Sequence, residues 1–224
     1  VKTYTYSKEK GDFHAENIRH GNGEIHFDFV YPGGRINDIN LGVPVEINVE
    51  NAVAALAACQ LTGDMDPERA RKAIGTFMGP KRRFEFHLNE SGADGRAIID
   101  DYAHHPDELR ASIMSVKALY PHRKLTVAFQ PHLFTRTRDF HREFAEALSL
   151  ADNVILLPIY PAREEAIPGV TSEIIHDLVT TEKKLLKKRE DLIDTVKNSN
   201  FEILLTAGAG DIAELVDQLV PEKQ

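Results

Sequence analysis

Cysteine and long apolar runs are both scarce in this sequence. The 224 residues include one cysteine, Cys59, within the AALAACQL run of a predicted helix. An intrachain disulfide is therefore excluded, and a reducing compartment such as the cytoplasm fits the composition. No apolar stretch approaches the roughly 20 residues that span a bilayer, and the opening VKTYTYSKEK lacks the pattern of a signal peptide. We therefore expect no membrane partner.

An excess of positive charge is also missing. The formal net charge is -8, from 27 basic and 35 acidic residues. Proteins that bind nucleic acid through its phosphates usually need an excess of Lys and Arg, so we expect no nucleic-acid partner. Hydrophobic residues make up 42% of the chain, which is enough for a packed core and argues against disorder.

Two familiar motifs are absent as well. The ten histidines form neither an HExxH motif nor the Cys/His spacing of zinc sites. The segment Gly75–Lys81 has some likeness to a phosphate-binding loop, but only three residues separate its glycines, and Pro80 stands between Gly79 and Lys81. We therefore predict no phosphate-binding loop within this chain.

The first part of the chain predicts a small sheet. EIHFDFVY alternates apolar and polar residues, which is typical of a half-buried strand, and Pro32-Gly33-Gly34 predicts the turn that ends it. VKTYTYS and FHAENIRH are predicted to be companion strands. Gly21-Asn22-Gly23 is the predicted hairpin turn.

Two helices are predicted next. NVENAVAALAACQLTG can be capped by Asn48 and stopped by Gly63, and DPERARKAIGTF can be capped by Asp66 with Pro67 at its first position. Gly79-Pro80 then interrupts the pattern, so we predict a domain boundary that separates residues 1–79 from residues 80–224.

Strands and helices alternate in the second part. The predicted strands are RAIIDDYA, KLTVAFQP, NVILLPIY and FEILLTAG, with KKLLKK as a short fifth. The predicted helices are PDELRASIMSVKAL, TRDFHREFAEALSLA, SEIIHDLV, EDLIDTVKNS and DIAELVDQLV. Apolar strands between amphipathic helices predict an α/β fold with a mostly parallel sheet and helices on both faces. Such sheets bind ligands outside the carboxyl ends of their strands.

Polar residues follow the first of these strands at that end. Asp101, Tyr102, His104 and His105 occupy the predicted loop, and Pro106 suits the first turn of the next helix. Together with His132, the Asp and His side chains could form the metal site of a hydrolase. The fold could equally be a noncatalytic binding module. The residue types alone leave both interpretations open.

Three further segments carry candidate residues. PHLFTRTR follows the second strand and holds His132 and Arg136, where Arg136 suits a carboxylate or phosphate. Lys81-Arg82-Arg83 places three cations at the predicted boundary, where they suit an anion. TAGAGD follows the last strand and contains half of a dinucleotide-binding fingerprint, with Ala213 in place of the third glycine. We interpret it first as a tight strand-to-helix turn.

Taken in order, DDYAHHPDEL, PHLFTRTRDF and TAGAGDI resemble motifs of the Mur ligase family. NVENAVAALAA resembles the family's adenine-contacting helix, and GPKRRFE resembles its hinge-region arginine motif. The resemblance extends through essentially the whole chain. DDYAHHP followed by PHLFTRT is most similar to the alanine-adding members, which act in peptidoglycan synthesis.

The resemblance implies a division of the chain. Residues 1–79 would be the last part of the central ATPase domain, and residues 80–224 the C-terminal Rossmann-like domain. The family's phosphate-binding loop, most of its Mg²⁺ ligands and its UDP-substrate domain are expected on preceding domains of the same enzyme. We therefore expect this chain to be inactive as a ligase when alone.

The resemblance also implies residue roles. ATP, Mg²⁺, L-alanine and UDP-N-acetylmuramate are the implied cofactors and substrates. On the nucleotide side, the implied contacts are Asn48 and Asn51 to adenine, Arg83 to ATP with a catalytic role, and Asp101 to the ribose. On the amino-acid side, the implied residues are Tyr102, His104, His132 and Arg136. Of these, Arg136 would bind the carboxylate, and His104 would orient the amine as a second catalytic residue.

Overall fold

This computed structural model describes residues 2–63, 65–90 and 95–220. The strands of these residues form two separate sheets. The first sheet belongs to a unit that contains Val1–Gly79 with Ala118–Tyr120. The second belongs to a unit that contains Pro80–Lys117 with Pro121–Gln224.

The first unit contains a three-stranded antiparallel sheet. Its strands are β1 (His14–Gly21), β2 (Glu24–Tyr31) and β3 (Gly34–Asn40), in the order β1-β2-β3. The predicted hairpin turn is confirmed, because Gly21 pairs with Glu24 while Asn22 and Gly23 adopt φ values of 53° and 78°. Two consecutive positive φ values are what a type I′ hairpin turn requires. Strand β3 was not among the predicted strands.

The predicted strand VKTYTYS is wrong. Within its described part, Tyr6 forms an isolated bridge with Phe13, and Val1 lies outside the described residues. The backbone N–H and the hydroxyl of Thr5 both donate to the carboxylate of Asp12, at 2.8 and 2.9 Å. These local bonds hold the segment as a loop instead of extending it along a neighbouring strand.

Two helices complete the first unit, α1 (Glu46–Thr62) and α2 (Pro67–Thr76). Helix α1 begins at Glu46, before the predicted cap Asn48, which lies in the first turn of the helix. The Asn48 side chain donates to the backbone oxygen of Val43 at 3.2 Å. The helix ends as predicted at Gly63, whose φ is 81°. The predicted cap of α2 is also confirmed, since Asp66 accepts from Arg69 N at 2.8 Å.

The second unit contains a six-stranded sheet in the order β4-β5-β9-β6-β7-β8. Its strands are β4 (Glu85–Asn89), β5 (Ala97–Asp101), β6 (Leu125–Phe129), β7 (Asn153–Leu156), β8 (Lys183–Leu186) and β9 (Ile203–Ala207). All pairs are parallel except β4 with β5. The predicted mostly parallel α/β fold is confirmed, including the short fifth strand, and β4 is an additional edge strand.

Helices cover both faces of this sheet. They are α3 (Pro106–Leu119), α4 (Phe134–Leu148), α5 (Glu173–His176), α6 (Leu192–Lys197) and α7 (Val216–Leu219), with 3₁₀ turns at Arg189–Asp191 and Asp211–Leu215. Helices α6 and α7 close one face around Ile98, Ala128 and Leu204. On the other face, Phe144 of α4 packs on Phe129 with ring centres 5.2 Å apart. Helix α4 begins at Phe134, earlier than predicted, and its first turn therefore includes Arg136.

Among the described residues, the helices are all too short or too polar to cross a membrane.

Candidate active site at the carboxyl ends of the strands

Four neighbouring parallel strands end at one edge of the second sheet. The register pairs Asp101 with Ala207, Ala207 with Phe129, and Phe129 with Leu156. The loops that follow β5, β9, β6 and β7 therefore adjoin one another. This edge is where a sheet of this topology forms ligand sites.

Four aromatic rings form a continuous row across these loops. Tyr102 and His104 follow β5, His132 follows β6, and Tyr160 follows β7. Successive ring centres are 5.2, 6.3 and 5.8 Å apart, and all four side chains are half-buried. The structure thus brings together three predicted site residues and adds Tyr160, which the sequence interpretation missed. Its position after a third parallel strand is the signal that could have found it.

Arg136 places a cation beside His132 in this row. Arg136 Nη1 lies 3.4 Å from His132 Nδ1 and 3.5 Å from the backbone oxygen of His104. Burial lowers the pKa of His132, the charges of Arg136 and His104 lower it further, and only Glu164 opposes them. His132 is therefore neutral near neutral pH, and its Nδ1 accepts from the guanidinium.

The orientation of His104 is set by its own loop. Its Nδ1 lies 2.9 Å from the backbone oxygen of Tyr102. A carbonyl can only accept, so this contact requires Nδ1 to carry the hydrogen and leaves Nε2 as the acceptor in the neutral ring. Glu108 accepts from the backbone N–H groups of His104 and His105 at 3.0 and 3.2 Å. The start of α3 is therefore capped by a carboxylate, which fixes the loop.

Asp101 is held between β5 and α3. Ser112 donates its hydroxyl hydrogen to Asp101 Oδ2, and the backbone N–H of Phe84 also binds this carboxylate. Burial nevertheless raises the pKa of Asp101, because it outweighs these hydrogen bonds and acts together with the charge of Asp100. A carboxylate has about four lone-pair positions, so further hydroxyl donors can still bind.

The two arginines of GPKRRFE have different surroundings. Arg82 donates from Nη2 to the backbone oxygen of Gly208 at 2.5 Å, and its Nε lies 3.3 Å from Oδ2 of Asp100, which is 1% exposed. The guanidinium also lies 4.9 Å from the centre of the Tyr102 ring. Arg83 is exposed, with its guanidinium 5.9 Å from the same ring. Arg82 therefore links its own segment to the end of β5 and to the loop after β9, while Arg83 faces solvent beside the Tyr102 ring.

The glycines of TAGAGD allow close packing of this turn. A Cβ on Gly208 would lie 2.5 Å from the backbone oxygen of Gln130, and a Cβ on Gly210 would lie 2.3 Å from its Oε1. Asp211 accepts from Gln130 Nε2 at 2.7 Å and pairs with Arg189 at 3.1 Å. Its carboxylate lies at the start of the 3₁₀ turn Asp211–Leu215 and would repel a phosphate there. These contacts support the interpretation of the segment as a tight turn.

Asn48 and Asn51 lie in the first unit, on α1. Asn51 Nδ2 donates to Asn48 Oδ1 at 3.0 Å. Both side chains line a groove of about 530 Å³ between α1 and α2, with mostly apolar walls that also include the exposed Cys59. Amide groups at the rim of an apolar groove suit a flat heterocycle that needs a donor and an acceptor.

The side chains considered for a metal site have separate partners. Asp101 binds Ser112, the His105 ring lies 5.1 Å from the Phe140 ring, and His132 stacks on Tyr160. Across residues 2–63, 65–90 and 95–220, no three His, Cys, Asp or Glu side chains are grouped so that they could hold an ion. The described residues therefore offer no set of ligands for the metal ion of a hydrolase.

A mostly parallel sheet with helices on both faces and polar loops at the carboxyl ends of its strands defines a Rossmann-like α/β domain. Residues 82–210 of this domain match the family described as Mur ligase, glutamate ligase domain. The chain belongs to the Mur ligase family.

Two curated relatives show how far the similarity extends. The UDP-N-acetylmuramate–L-alanine ligase of Parabacteroides distasonis is 57% identical over 218 residues, which cover 97% of this chain and 46% of that enzyme. The enzyme of the same name from Phocaeicola vulgatus is 53% identical over 220 residues, covering 98% of this chain and 47% of its own length. The chain spans about half the length of the curated relatives it matches.

A solved structure agrees with these relatives. The UDP-N-acetylmuramate–alanine ligase of Thermotoga maritima superimposes with a TM-score of 0.75 at 27% identity, over 96% of this chain and 46% of that one.

Proposed function

We propose that this chain is part of an ATP-dependent ligase that joins L-alanine to UDP-N-acetylmuramate, in the cytoplasmic synthesis of peptidoglycan precursors. The row of Tyr102, His104 and His132 beside Arg136 carries the proposal, because it offers a guanidinium cation and imidazole nitrogens at the edge where such sheets bind ligands. Relatives of that name at 53% and 57% identity over nearly the whole chain support it.

In the proposed reaction, the muramoyl carboxylate is activated as an acyl phosphate by the terminal phosphoryl group of ATP, and ADP is released. The nitrogen of L-alanine then attacks the acyl carbon, loses a proton and displaces phosphate. The amine must therefore be held as a neutral nucleophile, while the amino-acid carboxylate needs a fixed cation.

Arg136 and His104 suit these two requirements. The guanidinium of Arg136 can bind a carboxylate through two parallel N–H donors, and the neutral His132 beside it adds no competing charge. His104 has Nε2 as its acceptor, because Nδ1 is bonded to the backbone oxygen of Tyr102. We assign His104 to orienting the amine, with the ring of Tyr102 beside it.

Four residues are assigned to ATP. We assign Asn48 and Asn51 to the adenine edge, Asp101 to the ribose hydroxyls and Arg83 to the phosphates of ATP. The exposed guanidinium of Arg83, beside the Tyr102 ring, supports a contact with an anion that arrives from solvent. Residues 1–79 would be the end of the central ATPase domain, and residues 80–224 the C-terminal domain.

Mg²⁺ is not assigned to residues of this chain. In the ranges that the structure describes, no cluster of carboxylates and histidines could hold an ion. Asp100 and Asp101 already bind Arg82, Thr206 and Ser112. We propose that the Mg²⁺ ligands, the phosphate-binding loop and the UDP-sugar site lie on preceding domains of the same enzyme.

The test is Arg83→Ala in the longer enzyme that contains this chain. Phosphate release is measured with ATP, UDP-N-acetylmuramate and L-alanine. Removing a cation that contacts the transferring phosphoryl group should lower kcat/KM on the order of 100-fold. Arg138→Ala is the matched control, since Arg138 is an exposed arginine that pairs with Asp139.

The outcomes separate the candidate functions. Near-normal turnover of Arg83→Ala would refute the assignment of Arg83. A longer wild-type enzyme that binds these ligands without turnover would indicate a noncatalytic binding module. The 224-residue chain by itself should show no ligation. Robust ATP turnover by this chain alone would contradict the proposal that the phosphate-binding loop and the Mg²⁺ ligands lie on preceding domains.

A further inference from the structure

Tyr160 lies against two other parts of the site edge. Its ring stacks on the His132 ring, with 5.8 Å between centres and 13° between planes. The base of its side chain lies close to Gly210, where an added Cβ would come within 2.8 Å of the Cβ and Cγ of Tyr160. The glycine of the TAGAG turn therefore leaves room for this tyrosine.

The backbone holds the two rings in register. Tyr160 N donates to Pro131 O at 2.8 Å, and Leu133 N donates to Tyr160 O at 3.0 Å, so that His132 and Tyr160 form an isolated parallel bridge. Glu164 accepts from the backbone N–H of Thr135 at 2.9 Å and also from its hydroxyl. The loop after β7 is thus attached to the segment after β6 at two points.

Between His132 and α4, the chain turns through an uncommon conformation. Leu133 has a φ of 73°, in a region that residues with a Cβ seldom adopt. Its oxygen accepts from the backbone N–H and the hydroxyl of Thr137, at 3.1 and 2.9 Å. The hydrogen bond from Leu133 N to Tyr160 O holds the other side of this turn. The turn brings His132 and Arg136 next to each other, and the contact with the Tyr160 loop helps to hold it.

We propose that Tyr160 is a positioning residue for the amino-acid subsite, acting through the His132 ring that it stacks on. This inference rests on the proposed function for the identity of the subsite. Tyr160 itself is not assigned a contact with the reacting atoms. Its ring supports the His132 orientation in which Nδ1 lies 3.4 Å from Arg136 Nη1.

The pKa of His132 reports on how its ring is covered, because charged and titratable groups surround the ring. Arg136 lies on α4, His104 on the loop after β5, and Glu164 on the loop after β7. Burial is the largest cause of the lowered His132 pKa. Removing the Tyr160 ring admits water to one face of the imidazole, so the pKa should rise toward that of an ordinary histidine.

The first experiment follows the His132 ring by NMR titration in the 224-residue chain. Tyr160→Leu removes the aromatic ring, Tyr160→Phe keeps it, and Tyr31→Leu removes a tyrosine that stacks on Phe29 in the first unit. We expect the His132 midpoint to rise in Tyr160→Leu alone, with circular dichroism confirming the fold. An unchanged midpoint in folded Tyr160→Leu would refute the proposal.

A second measurement needs no substitution. Ring protons of Tyr160 and His132 should give nuclear Overhauser contacts in the wild-type chain, because their rings stack. Absence of these contacts would overturn the proposal even if Tyr160→Leu failed to fold.

The third measurement uses the longer enzyme. An aromatic pair contributes a free energy equivalent to roughly 3- to 10-fold in an equilibrium constant. Tyr160→Leu should therefore raise the KM for L-alanine by about that factor, while the KM for ATP changes less than about twofold and Tyr160→Phe restores normal values. Equal rises in both KM values would indicate general damage and count against the inference.

The two proposals can fail separately. If the longer enzyme does not ligate L-alanine, the proposed function is wrong, and the titration still decides whether Tyr160 positions His132. If ligation is normal in Tyr160→Leu and the His132 midpoint does not move, only the inference about Tyr160 is wrong.

Discussion

Asp100 should be among the most sensitive positions of the second unit. Its carboxylate is 1% exposed and accepts from the Thr206 hydroxyl at 2.6 Å, while Arg82 Nε lies 3.3 Å away. Arg82 in turn binds Gly208 O, so the acid anchors the residue that joins three loops of the site edge. Asp100→Ala removes this anchor without adding volume.

The magnitude follows from what the substitution leaves behind. Thr206 is fully buried, and its remaining acceptor, Ile99 O, is 3.4 Å away. A buried hydroxyl without a good partner costs about 1–3 kcal/mol. Breaking a buried ion pair costs about 3–5 kcal/mol, but the Arg82 side chain is 26% exposed and can regain water. We therefore expect a total loss near the low end, about 3 kcal/mol.

Amide hydrogen exchange of β5 and β9 is the suitable assay, because a chain with two units need not unfold in one transition. A loss of about 3 kcal/mol corresponds to exchange about 100-fold faster at amides that open with this unit. Asp107→Ala is the matched control, since that carboxylate is 88% exposed and should change stability by less than about 0.5 kcal/mol. A loss below about 1 kcal/mol in Asp100→Ala would refute the reasoning.

Two further predictions concern neighbouring positions. Gly210→Ala should lower the free energy of unfolding by about 1–3 kcal/mol through overpacking, because the new Cβ would meet Gln130 and Tyr160. Measured by amide hydrogen exchange of each unit, Gly75→Ala should cost less, since its Cβ would meet only the backbone oxygen of Asn40 at 3.5 Å, an ordinary contact. Equal costs would contradict the packing argument. Burial raises the pKa of Asp101 in the folded state, so folding favours the protonated carboxyl group. The stability that comes from this protonation is complete below the unfolded-state pKa of about 3.9 and is lost as the pH rises through the pKa of the folded state. Asp101→Asn should remove this decline in the stability of the second unit, measured across that range by urea unfolding followed with an NMR signal of β5, and an unchanged pH dependence would contradict the reasoning.

Much of the fold was predictable because its signals are local. The alternation in EIHFDFVY, the glycines of the Gly21–Gly23 turn and the Asp66 cap each depend on residues close in sequence, and all three were confirmed. The apolar runs of β5, β6, β7 and β9 predicted a parallel sheet for the same reason. Strands β3 and β4 were missed because their sequences, GRINDIN and EFHLN, depend on pairing with β2 and β5 for their extended form.

The candidate site was predicted only in part. Tyr102, His104, His132 and Arg136 were named from their places after two strands, and the structure brings them together. Tyr160 was not named, because it reaches His132 from the loop after another strand, 28 residues along the chain. Ser112 was not named either, although it lies on the helix that directly follows Asp101, because a lone serine in a helix gives no local signal of a contact with the site. The adjacent Arg82 and Arg83 could not be told apart by sequence, although one is bound to Asp100 and the other is exposed.

The sequence by itself determined the class of fold, the edge of the sheet that holds the polar loops, and the residue types available there. Hydrophobic periodicity, turn residues and caps act over a few positions, so they can be read along the chain. The tertiary structure alone decided which polar group binds which. Whether Arg82 meets Gly208, or Tyr160 covers His132, depends on the order β5-β9-β6-β7, which places distant segments side by side at distances that only packing sets.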